Sequence, residues 1–164
     1  MDVDSLSLPT DTKLALLTQT TLSVDDTRSL VETVVKRFPQ ITLPKKEDIC
    51  YATLNRQNAV KALAEKVDTV LVVGSRTSSN SNKLVHVAES AGMRASLVGT
   101  WRDIVPDMYA GSHAIGITSG ASTPDILVKE VIAVLEKAGG IYRGAIETVN
   151  ETESFTYSDK IFAI

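Results

Sequence analysis

Five consecutive residues, Thr69 to Val73 in "TVLVVG", are β-branched or leucine, with no polar residue alternating among them. A half-buried strand would alternate. An unbroken run of this length predicts a strand covered on both faces, the habit of a parallel sheet packed between helices. The surrounding chain fits that expectation. Ala95 to Val98 and Ala114 to Ile117 read as two more short strands, and Leu14 to Leu17 as a fourth.

Amphipathic helices are expected between them. Ser23 stands as an N-cap with Asp26 three residues on, and Leu30, Val31, Val34, Val35 and Phe38 follow on one helix face before Pro39 stops it. Ala59, Val60, Leu63, Ala64 and Val67 make a second stripe. A third helix is expected from about Asn80 to Ala91, closed by Gly92, and a fourth begins with Thr123 as N-cap and Pro124 at the first helical position. It carries Ile126, Leu127, Val131, Val134 and Leu135 and ends at Gly139–Gly140. The fold class is therefore α/β, a mostly parallel sheet flanked by helices. A composition change near Leu43 to Glu47 separates a short first piece, residues 1–46, from a fuller α/β unit, residues 47–140. The first piece reads as the second half of a domain that begins elsewhere. Residues 141–164 form a tail, read as an edge strand or as frayed.

The bulk properties exclude several function classes. A formal net charge of -3 and a pI near 5.4 argue against a nucleic-acid backbone as partner, which needs a clustered basic surface. The densest basic stretch, "PKKED" at Pro44 to Asp48, carries its own carboxylates and reads as a solvated loop. No apolar run approaches the roughly 18 residues of a membrane span. The opening "MDVDSLSLPTDTK" is acidic and lacks the basic and apolar regions of a secretory signal. A cytoplasmic α/β protein is expected. One cysteine in 164 residues, Cys50, excludes an internal disulfide and any all-cysteine metal site built from this sequence alone.

Hydroxyl and amide side chains gather at three places. "TQTTLS" covers Thr18 to Ser23, "SRTSSNSN" covers Ser75 to Asn82, and "TSGAS" covers Thr118 to Ser122. Each is expected between a strand and a helix. In open α/β sheets ligands settle outside the carboxyl ends of the strands, where free N–H groups and helix dipoles favour an anion. Neutral hydroxyl and amide donors add to that field and can hold a phosphate or diphosphate without a lysine. Ordinary caps and turns use the same residues, so the pattern alone leaves both readings open. Neither a Walker-type loop nor a G-x-G-x-x-G turn is present.

Cys50, in "KEDICYATLNRQ", precedes an expected helix for which Thr53 and Asn55 are competing caps. It reads as a small buried hydrophobe or as a thiolate activated by the helix N-terminus. His86, inside a helix, and His113, at a strand start, read as structural or surface residues.

Four stretches in this order, "TQTTLSVDDT", "DICYATLNRQ", "VVGSRTSSNSNKL" and "GITSGASTPDILV", resemble the 4-hydroxy-3-methylbut-2-enyl diphosphate reductases, the LytB-type iron–sulfur enzymes. The resemblance covers about Lys13 to Gly140. It implies an oxidoreductase of three α/β lobes around a [4Fe–4S] cluster held by three cysteines. Such an enzyme removes the allylic hydroxyl of its diphosphate substrate with two electrons and protons, giving isopentenyl and dimethylallyl diphosphates. That is the last step of the methylerythritol phosphate route to isoprenoids. The electron donor implied is a ferredoxin or flavodoxin.

Carried over by motif, Cys50 resembles the third cluster thiolate. Ser78, Ser79, Asn80 and Ser122 resemble the diphosphate-binding set. Thr20 resembles the catalytic threonine near the substrate hydroxyl, with Thr21 beside it. Arg76 and Thr77 depart from the asparagine-bearing loops common in the family. The family's other cysteines, histidines and glutamate precede "TQTT", whereas the seventeen residues before it here contain no Cys or His. The resemblance therefore implies the last lobe plus the second half of the middle one, inactive alone, with a missing N-terminal half as partner. A non-catalytic diphosphate-binding module and a degenerate product are the alternative readings.

Overall fold

The computed structural model describes residues 3–9, 12–19, 21–22, 24–44 and 51–146. Four helices and three strands run in the order α1 (Val24–Arg37), α2 (Tyr51–Leu63), β1 (Thr69–Val73), α3 (Ser79–Ser90), β2 (Arg94–Val98), β3 (Ile115–Ser119) and α4 (Asp125–Lys137). The strands form one parallel sheet in the order β2-β1-β3. The apolar run "TVLVV" is the central strand, and every residue of it is buried.

Successive side chains of a strand point to opposite faces, and β1 uses both. Val70 and Val72 pack with Val60 of α2 and with Leu84, Val87 and Ala88 of α3. Leu71 and Val73 pack with Val98 and with Val131 and Leu135 of α4. The β2-to-β3 connection crosses on the α4 side as two 3-10 turns, Trp101–Asp103 and Pro106–Met108, laying Ile104, Met108 and Tyr109 against that core. The chain leaves β1 toward one face of the sheet and leaves β3 toward the other. A parallel sheet opens a crevice beyond its carboxyl ends where two neighbouring connections diverge in this way.

Several expectations are corrected. The strand expected over Leu14–Leu17 is a single parallel bridge, Ala15 to Thr42, and no further strand continues it among the described residues. Leu17 is 83% exposed. The apolar face of α1 is buried only at Val34, and Leu30 stays exposed. Strand β3 runs two residues past Ile117, since β1 still offers partners at Val72 and Val73 to Thr118 and Ser119. Thr53 and Asn55 do not cap α2; they lie buried inside it. Helix α3 starts one residue early, at Ser79, and Gly92 follows it with a φ of 85°. Ile126 lies outside the buried face of α4, 60% exposed. Residues 141–146 contain no strand, and the rest of the tail, residues 147–164, lies outside the described residues.

No helix among the described residues is long and apolar enough to cross a membrane.

Candidate functional site

The polar turn after β1 divides its side chains between two tasks. Some build the turn. Ser75 Oγ accepts from the Thr77 N–H at 3.2 Å and lies 2.8 Å from Thr77 Oγ1. Ser78 has extended backbone and caps α3, its Oγ accepting from the Ser81 N–H at 3.2 Å. Asn82 reaches back from the first turn of α3, and its Nδ2 donates to the Arg76 and Ser78 carbonyls, both at 2.8 Å.

The other side chains have no part in the turn. Asn80 is 7% exposed, and neither its Nδ2 nor its Oδ1 has a partner among the described residues. A buried amide normally finds partners, and leaving one unmatched costs about 1–3 kcal/mol. Ser79 Oγ lies 3.0 Å from Thr21 Oγ1, its one side-chain partner among the described residues. The helix adds its own donors. The first N–H groups of a helix lack intrahelical partners. Ser78 satisfies that of Ser81. Those of Ser79 and Asn80 have no backbone partner among the described residues and lie at the positive end of the dipole.

Close backbone approach fixes where this helix end sits. Ser81 is buried, and its Oγ lies against Gly74 after β1 and Gly120 after β3. A Cβ on either glycine would collide with it. Neither glycine has positive φ, so absence of a side chain, and not backbone freedom, is what these positions need. The turn carrying Ser122 is thereby held beside the α3 N-terminus, with Ser122 itself exposed. Thr123, expected to cap α4, instead donates from its Oγ1 to the Val73 carbonyl at 3.0 Å. The cap position of α4 belongs to Pro124, which makes no side-chain bond.

Helix α2 brings the third polar segment to the same place. Gln57, buried, donates from Nε2 to the Leu22 carbonyl at 2.9 Å. Lys61 pairs with Asp25 at 2.6 Å and holds that exposed carboxyl below its usual value, the hydrogen bond being the largest cause. Thr21 is held between these anchors and Ser79. Thr21, Ser79 and Asn80 thus come together at one end of the sheet, with Ser78 capping the helix that carries two of them. Of the other proposed site residues, Thr20 and Cys50 lie outside the described residues, as does Ser23, the expected cap of α1.

Gln57, Asn82 and the Thr100–Asp103 pair were not singled out from sequence. For the last a signal existed. Thr100 and Asp103 form a reciprocal capping box after β2, readable from the T-x-x-D spacing. The Thr100 N–H bond, first among several causes that include the Arg76 charge, lowers the Asp103 carboxyl. His86 and His113 are exposed, and no group of three His, Cys, Asp or Glu able to hold a metal occurs among the described residues.

A family model described as LytB protein matches residues 1–136. The 4-hydroxy-3-methylbut-2-enyl diphosphate reductase of Methylococcus capsulatus is 50% identical over 157 residues, covering 96% of this chain and 50% of that protein. The protein of the same name from Enterobacter sp. strain 638 is 52% identical over 139 residues, covering 85% of this chain and 44% of that one. The solved structure of the Plasmodium falciparum E-1-hydroxy-2-methyl-but-2-enyl-4-diphosphate reductase superposes with a TM-score of 0.76 at 38% identity, over 81% of this chain and 42% of that one. The chain spans about half the length of the curated relatives it matches.

Proposed function

Because this chain belongs to the LytB protein family, an oxidoreductase family, we propose that it supplies the diphosphate-gripping part of a cytoplasmic 4-hydroxy-3-methylbut-2-enyl diphosphate reductase. The observation that carries this reading is Asn80. A buried amide with both polar atoms unmatched, at the N-terminus of α3, is a site built for a polar ligand. The Ser79 and Asn80 N–H groups, the Asn80 amide and the hydroxyls of Ser78, Ser79 and the exposed Ser122 are donors suited to diphosphate oxygens, Ser78 Oγ also accepting the bond that caps the helix end. Thr20 and Thr21 are assigned to the substrate hydroxyl end. Residues 1–46 are assigned to the second half of a middle lobe and residues 47–140 to a C-terminal lobe.

The family's [4Fe–4S] cluster does not fit the residues of this chain alone. Such clusters are held by several cysteine thiolates. The sequence contains one cysteine, and the described residues contain no alternative ligand group. Cys50 is proposed as one ligand, the others coming from polypeptide outside this sequence, which also receives electrons from a ferredoxin- or flavodoxin-like donor. No step of the reduction is assigned to the residues described here; their work is binding and orientation.

Titration calorimetry with inorganic diphosphate tests the reading. The wild-type chain binds, Asn80→Ala and Ser78→Ala bind more weakly, and Cys50→Ala binds as the wild type does. Absence of binding, or binding indifferent to Asn80, would overturn it. The same single cysteine also supports a non-catalytic diphosphate-binding module. Mixing the chain with a polypeptide that carries the remaining family length separates the two, since reductase activity appears only if the chain serves the enzyme.

A further inference from the structure

We infer that Asn82 is a positioning residue of the anion site, aiming a backbone donor at the ligand without touching it. This rests on the diphosphate reading above and adds to it a residue that contributes no ligand atom. The inference starts from the two bonds Asn82 makes. Its Nδ2 donates to the carbonyls of Arg76 and Ser78, both at 2.8 Å, while its own N–H donates to the Ser78 carbonyl at 3.1 Å.

A trans peptide holds its C=O and N–H in one plane, pointing in opposite directions across the C–N bond, and no cis bond occurs among the described residues. Turning the Ser78 carbonyl toward Asn82 therefore turns the Ser79 N–H the other way, out of the helix end. Turning the Arg76 carbonyl toward Asn82 removes a partial negative charge from the mouth of the turn. The Thr77 N–H on that peptide is already satisfied by Ser75 Oγ. The first helix bond turns the Ser78 carbonyl inward and the amide side chain holds it there, while the same side chain withdraws the Arg76 carbonyl, leaving the Ser79 donor presented. An anion needs that polarity, and a plain turn does not.

Asn82 is solvent-exposed and fills no core space. Its replacement therefore separates positioning from folding. Asn82→Asp keeps the shape, removes the Nδ2 donor and sets a carboxylate against two carbonyl oxygens; Asn82→Ala removes the contact without adding charge. Inorganic diphosphate is titrated into the full chain by calorimetry and by amide nuclear magnetic resonance, with the melting temperature of each variant measured alongside.

The expected result is a Kd raised about tenfold in both variants, because the Ser79 donor is no longer held in place for the anion. The Ser79 amide resonance, shifted strongly by diphosphate in the wild type, moves less in each variant at saturation. Melting temperatures fall modestly with the lost side-chain hydrogen bonds, and both variants remain folded at the titration temperature. Unchanged Kd values with an unchanged Ser79 shift would overturn the role of Asn82 alone. So would weaker binding that merely follows a loss of folded protein. If the wild-type chain does not bind diphosphate at all, the site reading falls and takes this inference with it.

Discussion

Thr21 Oγ1 and Ser79 Oγ lie 3.0 Å apart although 58 residues separate them in the chain. One belongs to the segment before α1, the other opens α3. Gln57 makes the meeting possible by holding the Leu22 carbonyl. The hydroxyl pair joins the proposed hydroxyl end of the site to its proposed diphosphate end. Thr21→Val should weaken diphosphate binding by no more than about fivefold, because Ser79 keeps its own hydroxyl free for the anion. Ser79→Ala should weaken it more than Thr21→Val does. Calorimetry on the two variants gives the order; the reverse order would place Thr21, not Ser79, on the diphosphate.

Asn80 sets stability against binding. Its unmatched amide is a cost to the folded chain, so Asn80→Leu, close in size and apolar, should raise the melting temperature or leave it unchanged. Diphosphate affinity should fall by about tenfold or more. Thermal denaturation beside calorimetry reads both effects. A strongly destabilised Asn80→Leu would mean that the amide already has structural work in the unliganded fold.

The contact of Ser81 with Gly74 and Gly120 predicts a specific rescue. Gly74→Ala should destabilise the chain by about 1–3 kcal/mol, since the new methyl meets Ser81 Oγ at a packed site. Adding Ser81→Ala removes the obstructing oxygen and should restore part of that loss. Chemical denaturation of the two single variants and the double variant closes the cycle. Strict additivity would mean that the two positions do not interfere.

Asp68 makes the fold acid-sensitive at the opposite end of the sheet. Its carboxylate accepts from the His113 N–H at 2.8 Å and from the Ala114 N–H at 3.4 Å. The first of these is the largest cause holding it below the ordinary value of 3.8. A depressed folded value means the stabilisation is fully present above the unfolded value and is lost as pH falls through the folded one. Melting temperatures taken from neutral to strongly acid pH should decline less steeply on the acid side in Asp68→Asn than in the wild type. Parallel curves would assign the decline to other carboxylates.

The regular frame was legible because its signals are local. The unbroken apolar run Thr69–Val73 signals a strand buried on both faces, and Gly92 suits the residue that follows a helix. The wrong boundaries fall where tertiary contact overrides local preference. Thr123 is a good cap by type, yet the Val73 carbonyl engages its hydroxyl across 50 residues. Leu14–Leu17 has the composition of a strand but makes a single bridge among the described residues. In the site, the polar richness of Ser75–Asn82 was visible, whereas its division was not. Nothing in the letters distinguishes Ser75, Ser78 and Asn82, which build the turn, from Ser79 and Asn80, which do not. Gln57 carries no periodic signal at all, because a single buried amide on a helix leaves none.

The seating of Ser81 between two glycines bears on how a ligand is received. Helix α3 cannot slide along the sheet without driving that side chain into the backbone after β1 or β3. The proposed anion cradle is therefore assembled by folding, in advance of any ligand. Capture then demands little loss of chain freedom, and affinity is governed by how well the exposed donors replace the water around the anion. Substitutions that loosen this three-residue seat should slow the formation of the complex before they speed its breakdown, the kinetic mark of a receptor that is shaped in advance.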